Sequence, residues 1–62
     1  MSTIQLVTNL NLLETAARYW LDIQAEAMDS GDFILYLKSE NILVGLFDSL
    51  NDYDNELEAR EG

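Results

Sequence analysis

Placed at 100° per residue, the segment from Leu12 to Asp29 separates into two faces. Leu12, Leu13, Ala16, Ala17, Tyr19, Trp20, Leu21, Ile23, Ala27 and Met28 fill one arc, interrupted by Gln24, while Glu14, Thr15, Arg18, Asp22, Glu26 and Asp29 fill the other. The apolar arc spans about 200°, against the roughly 100° stripe of an ordinary surface helix. This pattern predicts a helix over 11–29 that is covered on two sides. Asn11 is positioned to cap it, with Glu14 at the spacing of a capping box. Glu14–Arg18 and Arg18–Asp22 stand at the i,i+4 spacing that favours ion pairs.

Ahead of that helix, residues 1–9 lean towards β structure. Ile4 and Leu6 fall on one side and Gln5 and Val7 on the other, so a short extended or strand-like arm is expected. Behind it, Ser30-Gly31-Asp32 reads as a reversal in which Gly31 ends one helix in the left-handed conformation and Asp32 caps the next. The apolar run Phe33-Ile34-Leu35-Tyr36-Leu37 fits a short helix or a strand over 32–39 by periodicity, and the Asp32 cap favours helix. A second helix is expected over 41–58, where Ile42, Leu43, Leu46, Phe47, Leu50, Tyr53 and Leu57 make one stripe. Gly45 interrupts it, first of all as a tolerated glycine, with a close helix crossing or a partner contact as the alternative. The fold class is therefore mainly α, one domain over 1–62. A small helical hairpin or three-helix domain with an N-terminal arm is expected, and its core is drawn from Leu13, Trp20, Ile23, Ala27, Leu43, Leu46, Phe47 and Leu50. The last residues, Glu58–Gly62, are expected to fray.

Composition changes this picture in two ways. At 62 residues and 48% hydrophobic, with no Cys and no His, the chain is apolar enough to fold but has neither disulfides nor ordinary zinc ligands to support a small core. Oligomerisation or partner binding becomes the expected source of extra stability. The charge is also lopsided, with twelve Asp and Glu against three basic residues, for a formal net charge of −9. Direct nucleic-acid binding and anionic membrane surfaces are disfavoured, because both depend on Lys and Arg. No apolar run approaches the roughly 20 residues needed to span a bilayer, and no signal-peptide pattern opens the chain. A cytoplasmic location is expected.

Catalysis is not expected. There is no His for acid–base work, Lys38 is the one lysine, and so short a chain leaves little room for a substrate cleft. A dedicated calcium site is also not expected, since counting an EF-hand loop from Asp48 or Asp52 fails at the required ligand positions. No metal and no cofactor follow from the residues. The dense acids of the second helix do carry a pattern. Asp48, Asp52 and Glu56 lie at successive i+4 steps, so their charges repeat about every 6 Å along one stripe. That repeat is of the order of the phosphate spacing read by basic nucleic-acid channels. Asp54 and Glu26 extend the acidic surface, and Tyr19, at the edge of the apolar arc, is a candidate aromatic anchor.

In size, acidity and lack of Cys the chain resembles the small proteins with which phages and mobile elements block host defences, including anti-CRISPR and anti-restriction proteins. That likeness is one of composition. Ser49-Leu50-Asn51-Asp52-Tyr53-Asp54-Asn55-Glu56-Leu57 is also loosely similar to part of the second helix of a small RNA-binding regulator of plasmid copy number. That regulator is a helical hairpin that dimerises into a four-helix bundle, but the acidic surplus here has the wrong sign for RNA. The expected function is a non-enzymatic inhibitor that occupies a basic, normally nucleic-acid-binding surface of a larger protein, acting as a DNA mimic. The alternative is a homodimeric hairpin adaptor or structural subunit whose acidic face only solvates it. Partner-binding candidates are Asp48, Asp52, Asp54, Glu56, Tyr19 and Glu26.

Overall fold

The computed structural model describes residues 1–61 and is a hairpin of two long helices, α1 (Thr3–Ser30) and α2 (Phe33–Glu61). Its extents are 45 × 15 × 14 Å, close to the length that a helix of this size reaches at about 1.5 Å per residue. Gly62, the last of the residues expected to fray, lies outside the described residues.

Each helix is set by its ends. Ser2 holds extended backbone angles and accepts a hydrogen bond from the Gln5 amide at 3.1 Å, and the Leu6 amide donates to the Ser2 carbonyl at 3.0 Å. The cap of α1 is thus Ser2, not Asn11, and the expected N-terminal arm is instead the first two turns of the helix. Ser2 and Gln5 have the residue types and spacing of a capping box. The β-branched Thr8 is accommodated because its hydroxyl donates back to the Ile4 carbonyl at 2.9 Å. Burial of Leu6, which is fully enclosed, outweighs the small helix penalty of the neighbouring β-branched residues.

At the other end, Gly31 takes φ 75° and ψ 18°. Its amide points to the Met28 carbonyl and the Asp32 amide to that of Ala27, at 3.4 and 2.9 Å. This doubly bonded closure needs the left-handed conformation that glycine adopts without strain. Asp32 then caps α2, accepting from the Leu35 amide at 3.1 Å through Oδ1. Residues 33–38 are therefore helix, continuous with the expected helix over 41–58. No break occurs at Ser39, whose hydroxyl donates to the Leu35 and Tyr36 carbonyls at 2.9 and 2.8 Å.

One seam joins the helices. In α1 it runs through Leu6, Leu10, Leu13, Ala17, Trp20, Gln24 and Ala27, and in α2 through Tyr36, Ser39, Leu43, Leu46, Leu50, Tyr53 and Leu57, all buried or half-buried. Both series alternate steps of three and four, the spacing of a heptad seam. The two-residue turn sets Ala27 level with Tyr36, Trp20 with Leu43, Leu13 with Leu50 and Leu6 with Leu57. The turn half mixes small and bulky seam residues, with Ala17, Ala27 and Ser39 buried beside Trp20, Tyr36 and Leu43, whereas the open half is lined by large ones.

Two expectations about the core are corrected. Phe47 is 49% exposed, because it follows Leu46 just outside the seam and a two-helix hairpin covers only one stripe per helix. For the same reason the wide apolar arc of α1 is covered on one side, leaving Leu12, Tyr19, Leu21 and Met28 exposed. Gly45 is in open space, where an added Cβ would meet nothing within 4 Å, in keeping with a tolerated glycine and not with a close crossing.

Candidate functional site

The seam divides the hairpin surface into two sides. Residues seven apart on a helix remain on one side, and the grooves between the helices show which series meet. Near the turn, Met28 and Phe33 line a cleft of about 270 Å³ with Ala27 and Tyr36. Near the open end, Glu14 and Asp54 border a groove with Leu10, Leu50 and Asn51. The series Glu14, Leu21, Met28 and Phe33, Glu40, Phe47, Asp54 therefore flank one side of the hairpin, here called the first. On the second side, Asn9 and Leu12 share a groove with Ser49 and Tyr53, and Glu26 and Ser30 share one with Leu35. By the same periodicity Tyr19 and Glu56 belong to the second side.

All six candidate partner-binding residues are exposed, but they do not converge. Asp48, Asp52 and Glu56 do share one stripe of α2, and it winds from the outer face of that helix onto the second side. Asp54 faces the first side, across the groove from Glu14. Tyr19 and Glu26 lie on α1, and Glu26 stands roughly 22 Å along the axis from the level of Asp52, given about 1.5 Å per residue. The Tyr19 ring is packed edge-on against Trp20 at 5.7 Å between centroids, which orients it while leaving it 62% exposed.

The charges are sparsely paired. Among the described residues the one ion pair is Arg60 with Glu56, at 3.2 Å and half open to solvent. The Glu14–Arg18 and Arg18–Asp22 spacings do not close into ion pairs. An exposed pair of this kind contributes about 0–1 kcal/mol, so Glu56 is the one acid of its stripe with a cation beside it. Asp48 and Asp52, together with Asp54 and Glu58, have none. Glu58 lies in the last turn of α2, where the helix dipole is negative, and Asp48–Asp52–Glu56 and Asp54–Glu58 repeat at i,i+4, both of which are locally unfavourable.

What the sequence pattern did not reveal is the juxtaposition of Glu14 with Asp54, which depends on the antiparallel register, and the apolar character of the first side near the turn. The signal for the second was present in the width of the α1 arc. Among the described residues no helix is long and apolar enough to cross a membrane, and no group of three His, Cys, Asp or Glu is placed to hold a metal ion. Comparison with known protein families, curated proteins and solved structures gave no match.

Proposed function

We propose that this protein is a non-enzymatic acidic interaction protein that acts in the cytoplasm by occupying a basic, nucleic-acid-binding surface of a larger protein. An inhibitor of the anti-CRISPR or anti-restriction type is its most specific form. The observation that carries this reading is the acidic end of α2. Asp48, Asp52, Asp54 and Glu58 are exposed along with Glu56, and they stand at i,i+4 spacings where like-charge repulsion disfavours them. Local conflict without a structural gain is the signature of a surface kept for binding. The i+4 stripe presents a line of negative charge to Lys and Arg on the partner, which steers encounter and fixes register.

The test is competition with labelled duplex DNA for binding to RNA-guided nucleases and restriction enzymes, using the parent and the Asp48→Asn/Asp52→Asn/Glu56→Gln variant. The parent should displace DNA from a susceptible enzyme, less well as salt rises, and the variant should associate more slowly while remaining folded. Equal affinity of the two at about 50 mM salt, where screening is weak, would remove this stripe from the interface and leave Glu14, Asp22, Glu26 and Asp29 of α1 as its replacement. Failure of the parent to displace DNA from any of these enzymes would overturn the inhibitor reading.

A further inference from the structure

We infer that the first side of the hairpin, near the turn, is the docking surface for a second copy of the same chain. Leu21, Met28, Phe33, Leu37, Val44 and Phe47 are each between 45% and 75% exposed. Leu21, Met28, Phe33 and Phe47 belong to the series that border the first side. Leu37 and Val44, one residue beyond the seam positions Tyr36 and Leu43, extend it around α2. Together they form an apolar band from the turn to about mid-hairpin, interrupted by Glu40. Clustered exposed apolar side chains of this kind mark interaction surfaces.

Area points to a copy of the chain as the occupant. The hairpin exposes 4600 Å², whereas a folded monomer of its 7.1 kDa is expected to expose about 4,100 Å². The surplus, about 500 Å² per chain, is surface that the elongated hairpin leaves open, and covering that much on each of two copies would bury about 1,000 Å², the least that a biological interface needs.

Charge sets the arrangement. The open half of the hairpin, residues 1–16 and 47–62, carries seven carboxylates and Arg60, and the turn half carries five with Arg18 and Lys38. Two copies overlapping at their turn halves, with open ends projecting in opposite directions, bury the apolar band and keep the most acidic ends apart. Glu40 stands within the band and Arg18 borders it, so the overlap contains one charge of each sign from every chain. The stripe of Asp48, Asp52 and Glu56 remains outside this contact, so a dimer presents two copies of it.

The measurement is sedimentation equilibrium, with helicity followed by circular dichroism on the same samples. The parent should dimerise, and more strongly at about 1 M than at about 0.15 M salt, because screening relieves the repulsion between two acidic chains. This is the opposite of the salt dependence expected for a basic partner, so the two proposals fail separately. Leu37→Ser/Val44→Ser should weaken the dimer by about 100-fold or more, from loss of apolar burial on both copies. Leu12→Ser/Tyr19→Ser, on the second side, should leave it unchanged. Glu40→Gln should tighten it. If helicity in the first variant falls along with the dimer, a parent melting temperature that rises with concentration gives the same conclusion. A parent that is monomeric at both salt concentrations, or a dimer lost with the second-side variant and kept with the first, would overturn the proposal.

Discussion

The two ends of this hairpin solve different problems with the same pair of helices. In the turn half, small seam residues alternate with bulky ones, a doubly bonded glycine closure and an aspartate cap hold the reversal, and one side exposes apolar residues. At the open end, large seam residues such as Leu6, Leu10, Leu50 and Leu57 fill the space between the helices, and the outer surface of α2 is acidic. Of the buried residues, Ala17, Ala27, Ser39 and Leu43 lie in the turn half and Leu6 alone in the open half. The open half carries the larger net negative charge, and its acids lie on exposed positions of α2 outside the seam, so they can be replaced without disturbing the contacts that close the hairpin.

That contrast can be broken most severely at Leu43, which is 4% exposed opposite Trp20. Leu43→Asp places an unpaired charge in a buried part of the seam, and the variant should lose cooperative thermal unfolding altogether, because a penalty of several kcal/mol exceeds the stability of so small a domain. Retention of a melting transition near that of the parent would disprove the seam. Leu6→Ala removes the one fully buried side chain of the open half and should lower stability by about 2–4 kcal/mol in chemical denaturation. A loss near zero would mean that the open end frays in solution. At the turn, Gly31→Ala meets no steric neighbour but must adopt φ 75°, so it should cost about 1 kcal/mol or slightly more. Gly45→Ala, in open space in mid-helix, should add about 1 kcal/mol. The smallest effect is expected at the acidic end, where Asp54→Asn/Glu58→Gln should stabilise by a few tenths of a kcal/mol through relief of dipole and like-charge repulsion. Destabilisation there would show that these acids have a structural role.

The helices and the turn were legible because their signals are local. Gly31 and Asp32 mark the reversal by residue type alone, and the stripe from Leu43 to Leu57 lies in one helix. The start of α1 was misjudged because Thr3, Ile4, Val7 and Thr8 favour strand by type, whereas the Ser2–Gln5 cap and the burial of Leu6 decide for helix. The expected boundary between 32–39 and 41–58 is absent for a similar reason: the Ser39 hydroxyl is satisfied within the helix and its small size suits the seam. The candidate site was legible as a stripe and not as a surface. Asp48, Asp52 and Glu56 follow from spacing within α2, but the separation of Asp54, Tyr19 and Glu26 from that stripe depends on how the two helices are rotated against each other. Phe47 was taken for core because its stripe is wider than a single partner helix can cover.

Asp32 serves both helices at once, with its amide closing α1 and its side chain and carbonyl opening α2. The loop between the helices is therefore almost absent, and the first contacts across the seam form between residues close in sequence. Such contacts require little loop-closure entropy and favour rapid folding. The chain should fold by zipping from Ala27 and Tyr36 towards Leu6 and Leu57. Changes at the turn should then alter the folding rate, whereas changes at the open end should alter chiefly the rate of unfolding.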